Sequence, residues 1–140
     1  MSFREKIAWA SFVTTVLAWG AWFAVVIVRL DQGGGHDPSL FWLFIAATVA
    51  QVVLMAAVAA VSAMMAPADA RAAVDERDRA VGQRASAVAY FVVLVGIAGI
   101  VVWLHLGLHG VGTIFALIGL FILGEAVRFG AKAIGYRIGG

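Results

Sequence analysis

The chain has 140 residues, 64% of them hydrophobic and only 13% charged, with a formal net charge of +2. That much apolar side chain cannot be enclosed by one small soluble core, so a soluble globular domain and a nucleic-acid-binding module are both excluded and the natural solvent is lipid. Cysteine is absent, which removes disulfide frameworks, thiolate nucleophiles and thiolate metal sites from consideration.

The first element runs without formal charge from Ile7 to Val28, long enough to cross the roughly 30 Å of hydrocarbon that takes about 20 helical residues. It is too long and too rich in tryptophan for the core of a signal peptide, so it is expected to persist as a span over about 7–30. The second segment, Leu40 to Ala66, predicts a span over 40–66 that stops before Pro67, because proline suits the first turn of a new helix better than the interior of an old one. A connection over 67–84 follows, where Ala70, Ala73, Val74 and Val81 form a weak apolar stripe compatible with a short interfacial helix, braced by an Asp75–Arg79 pair at helical spacing. The third span is expected over 85–106 and the fourth over 110–131. The expected fold is therefore all-α: a single domain, polytopic in the membrane, with four antiparallel transmembrane helices in a bundle. An offset that lays Arg4-Glu5-Lys6 on Arg77-Asp78-Arg79 also lays His36 on His109, so two parallel-repeat hairpins are an alternative description.

Charge is distributed unevenly along these elements. Arg4, Lys6, Arg71, Arg77, Arg79, Arg84, Arg128, Lys132 and Arg137 fall on one side of the spans, and Arg29 alone falls on the other. By the positive-inside rule both termini and the 67–84 connection are expected in the cytoplasm. Aromatic placement agrees, with Trp9, Tyr90 and Tyr136 near the inner boundary and Trp42 and Trp103 near the outer one.

The densest charge lies in Asp75, Glu76, Arg77, Asp78 and Arg79. A cation or catalytic use would need the carboxylates to converge, but neighbours on a helix diverge by about 100° and arginines interleave the two that share a face. These five residues read as a solvated, orientation-setting loop or as a surface that docks a partner. The stretch DERDRAVGQRASAVAYFVVL, an acidic-acidic-Arg cluster, a further charge, a spacer and A-x-A-Y-x-x-L, resembles a family of small bacterial inner-membrane proteins with four helices. The resemblance implies that membrane and that helix count, and assigns no activity to any residue.

His36, His105 and His109 all fall on the outer side. His105 and His109 have the i, i+4 spacing of metal-binding helices, yet the glutamate of HExxH is missing and Gly107 and Gly110 interrupt the helix, so these three are candidate metal ligands against a reading as boundary residues that bond the last carbonyls of the third helix. Haem ligation fares worse, since His36 sits on a glycine-rich loop rather than a facing helix. No cofactor is expected.

The fourth span is free of formal charge only from Gly110 to Gly124, short of the bilayer core, so Glu125 is expected below the surface. A carboxylate there costs up to about 2.5–3.5 kcal/mol at the bilayer centre and less toward the interface, where Arg128 can pair with it. Gln51, midway along the second span, needs an internal partner as well. Glu125 reads either as an interfacial anchor with Arg128 and Lys132, or as an ion or proton-relay position with Gln51, Thr48, Thr14 and Thr15 as neighbours.

Gly20 with Ala24, Ala46 with Ala50, and Ala56 with Ala60 repeat the small-xxx-small spacing at which helices meet in lipid, and Gly112, Gly119, Gly124 and Gly130 thin the fourth helix. Self-association is expected, a dimer being the commonest form. No phosphate-cradling loop, GxSxG elbow or paired nucleophile and base is present, so an enzyme is not expected. Two functions stay open: a regulatory or accessory membrane protein with a membrane or cytoplasmic protein partner, working through helix contacts and the charged loop, and a small transport or channel subunit built on Gln51 and Glu125.

Overall fold

The computed structural model describes residues 3–32, 38–107 and 110–138, and every regular element among them is helical. They are α1 (Phe3–Asp31), α2 (Pro38–Met65), α3 (Pro67–Arg71), α4 (Glu76–His105) and α5 (Val111–Ile138). The four long helices are each long and apolar enough to cross a membrane, and α2 and α3 both open on a proline, whose missing N–H is lost at no cost in a first turn.

The helices overrun the charge-free segments. α4 begins at Glu76 rather than near 85, and α5 continues to Ile138 rather than stopping near 131. The cause at α4 is a capping box: Asp78 N–H donates to Asp75 Oδ1 at 2.7 Å and Asp75 N–H to Asp78 Oδ2 at 3.3 Å. Two orphan donors are satisfied reciprocally, and carboxylates stand at the positive end of the helix dipole. The expected 67–84 loop is thereby corrected to α3, a short link through Ala72 and Asp75, and the first turns of α4. Asp75 serves the cap rather than bracing Arg79.

The long helices pack side by side in the order α2, α1, α5, α4. The two central helices carry most of the burial. α1 buries Ala8, Ser11, Thr15, Trp19, Trp22 and Val26, whereas α2 buries Leu40 alone and α4 only Ala85 and Ala89. Toward one end, Trp22 meets Phe44 of α2 at 5.6 Å and Phe115 of α5 at 5.9 Å between ring centroids, with Val26 and Ile122 packed beside them. Trp19 and Trp22 thus find cover inside the chain. Toward the other end, Ala8, Ala133 and Tyr136 pack with Trp9 and Val81.

Close approach depends on glycine in α5 rather than on the three expected small-residue pairs. A Cβ at Gly124 would lie 2.7 Å from Val93 Cγ2, one at Gly135 would lie 2.9 Å from Val81 Cγ1, and one at Gly119 would lie 3.1 Å from Phe23 Cζ. Gly96 of α4 similarly receives Leu120. Gly20, by contrast, has nothing within 4 Å, and it, Ala24, Ala46, Ala50, Ala56 and Ala60 are all exposed. Those pairs lie on the exposed faces of α1 and α2.

The basic end is tied by arginine. Arg4 at the start of α1 forms an ion pair with Asp78 and donates to the Ala72 carbonyl at 2.7 Å. Arg77 donates to the Tyr136 carbonyl at 3.1 Å. The start of α1, the α3–α4 link and the end of α5 therefore lie at the same end of the molecule.

Candidate polar cleft between α2 and α5

Four of the polar residues that sequence spacing placed in the spans converge. Thr15 of α1, Thr48 and Gln51 of α2, and Glu125 of α5 line one cleft of about 390 Å³, with Trp19, Met55, Ile122 and Phe129 completing its walls. The cleft exists because α2 and α5 both pack on α1 but not directly on each other. Gaps between helices in lipid hold polar groups only where each finds a partner.

Each of these does. Gln51 Nε2 donates to Thr15 Oγ1 at 2.7 Å, which joins α2 to α1 at mid-span. Thr48 returns its hydroxyl to the Phe44 carbonyl at 2.9 Å, a helical back-bond that needs no neighbour. Glu125 Oε2 accepts from Arg128 Nη2 at 2.5 Å, one turn further along α5, and the guanidinium lies 4.9 Å from the Phe129 ring centroid. The two side chains remain 35% and 43% exposed, so the pair sits at the rim of the cleft rather than sealed inside it. Arg128 Nε is buried without a hydrogen-bond partner among the described residues. Thr14 does not line the cleft: it donates to the Ala10 carbonyl at 2.7 Å and lies 3.3 Å from Sδ of Met55, behind the cleft wall.

The charged cluster is not a convergent site. Asp75 and Asp78 form the cap, Asp78 also binds Arg4, and Arg77 gives one Nη to the Tyr136 carbonyl at the end of α5. Glu76 and Arg79 are exposed. Sequence spacing did not reveal these tertiary uses, because Arg4 and Tyr136 are remote in the chain and nothing local marks them as partners.

His105 is exposed, with Nδ1 2.8 Å from the Val101 carbonyl one turn back; His36 and His109 lie outside the described residues. Among the described residues no three histidine or acidic side chains group closely enough to hold a metal ion.

A chain whose described elements are all helical, with four such spans and, between two of them, a largely apolar cleft into which a few polar side chains converge, is a multi-pass integral membrane protein. Comparison with family models, curated proteins and solved structures finds no match to this chain.

Proposed function

We propose that the chain is a regulatory or accessory protein of the bacterial inner membrane, with both termini cytoplasmic, that works through helix contacts and its charged cytoplasmic turn and has no enzymatic activity. The observation that carries this reading is the Glu125–Arg128 pair: at 2.5 Å the carboxylate is neutralised by its own helix, which gives it an anchoring role that needs no ion pathway. Gln51 is likewise engaged with Thr15. The outward faces of α1 and α2, with Gly20, Ala24, Ala46 and Ala50 exposed, support association with a second copy or with the helices of a membrane partner, since small residues let backbones approach in lipid. Exposed Glu76 and Arg79 are the part of the docking cluster left to a cytoplasmic partner. The bacterial inner membrane rests on the DERDR resemblance, and the orientation on the positive-inside rule.

A second reading, a small ion or small-molecule transport subunit, is favoured by one observation: Gln51, Thr15, Thr48 and Glu125 line a common cleft. One experiment separates the two. Wild type and Glu125→Gln are reconstituted side by side in vesicles, and ion and proton flux are recorded. The accessory role predicts no flux above protein-free vesicles from either, while flux in wild type that disappears in Glu125→Gln would replace it with transport.

A further inference from the structure

A second groove lies between α4 and α5 at the basic end, about 650 Å³ in volume, with Arg77 and Arg84 on one wall and Ile134 and Ile138 on the other. Its shape follows from Gly135, which lets the Val81 side chain settle against α5 and leaves a trough beside that contact. Arg77 and Arg84 are two helical turns apart on one face of α4, about 10 Å along the axis. Below them the trough is apolar and descends along Ala85 and Val88 toward the membrane interior.

The cationic mouth is open for use. Arg77 commits one Nη to the Tyr136 carbonyl, leaving the rest of its five-donor fork. Arg84 is exposed and makes no hydrogen bond or ion pair among the described residues. Two carboxylates at this end are engaged, Asp78 by Arg4 and Asp75 by the cap of α4, and exposed Glu76 lines no part of the groove. A guanidinium is weakly hydrated and matches phosphate geometry in two-point contact.

We propose that this groove binds one anionic phospholipid of the surrounding bilayer, with its phosphate between Arg84 and Arg77 and an acyl chain along Val88 and Ile134. Both halves of the groove are then used. Free phosphate would leave the trough unfilled, and a zwitterionic lipid would present the arginines with a headgroup that carries its own cation. Basic pockets between helices at a cytoplasmic boundary are a general means of recognising such headgroups.

The test uses the full chain in neutral detergent, supplied with equimolar phosphatidylglycerol and phosphatidylcholine, with retained lipid read by native mass spectrometry. Wild type should retain phosphatidylglycerol about thirtyfold over phosphatidylcholine, given two arginines at a membrane surface. Arg84→Gln should cut that preference about fivefold. Ile134→Trp, which fills the trough and keeps both arginines, should also lose retained phosphatidylglycerol, and inorganic phosphate alone should leave the thermal midpoint unmoved. Equal retention of the two lipids by wild type, an unchanged preference in Arg84→Gln, wild-type retention by folded Ile134→Trp, or stabilisation by phosphate alone would each overturn the proposal. If circular dichroism shows Ile134→Trp unfolded, the exposed Arg84→Gln variant decides.

Discussion

At the residue scale, the same amino acid has opposite consequences according to what faces it. Gly124 and Gly20 look alike in the sequence, each in an apolar span near another small residue, but Gly124 is buried against Val93 while Gly20 meets nothing. Val93 is β-branched and stiff about χ1, so it cannot swing aside as a longer side chain would. Gly124→Ala should therefore destabilise the protein by about 1–3 kcal/mol through overpacking. Gly20→Ala should be neutral or stabilising by up to about 1 kcal/mol, because alanine is the better helix former. Unfolding in mixed micelles measures both, and equal effects would show that α4 and α5 do not pack as closely as described. Glu125 was legible at this scale as a carboxylate at membrane depth with Arg128 in reach. Its convergence with Gln51, Thr15 and Thr48 was only partly legible, since helical spacing fixes the face of each residue but not which helices adjoin, and Thr14 turned out to face Met55.

At the scale of elements, charged residues extend helices that hydropathy alone would have cut short. α4 gains its first turns because Asp75 and Asp78 cap each other and because Arg4 reaches Asp78 from α1, a helix that α4 does not otherwise pack against. This latch should be measurable as an interaction energy. A double-mutant cycle with Arg4→Gln and Asp78→Asn is expected to return about 1 kcal/mol of coupling, modest because both side chains keep some contact with solvent. Asn at position 78 retains an acceptor for the cap, so the cycle isolates the ion pair. Strictly additive single effects would remove the latch from the account of α4. The local capping pattern was present in the sequence, an acidic residue three before another, but a hydropathy reading weighs charge as a terminator of spans and so passes over it.

For the molecule as a whole, the serial order α2, α1, α5, α4 makes α1 and α5 the core and leaves α2 and α4 as edges with wide apolar faces. In water such faces would drive aggregation; in a bilayer lipid tails cover them without penalty. The topology carries its own test: reporter fusions after Gly140 and within the connection at Gly34 should report opposite sides of the membrane, with the Gly140 fusion cytoplasmic. Reporters on one side would mean an even number of spans between those points, where α2, α4 and α5 make three, and would overturn the four-helix topology.

By itself the sequence determined the membrane class, the number of spans and the gathering of cationic residues at one end, because these depend on apolar length and on where charge can leave lipid. It also placed Gln51 and Glu125 at depth. Only the tertiary structure decided which helices adjoin, that α5 glycines rather than the Gly20 and Ala46 stripes make the close contacts, and that the acidic cluster is an internal cap and latch. The reason is physical: within lipid every apolar face is equally content, so hydropathy cannot say which faces pair, and the choice falls to steric fit and to hydrogen bonds between residues far apart in the chain.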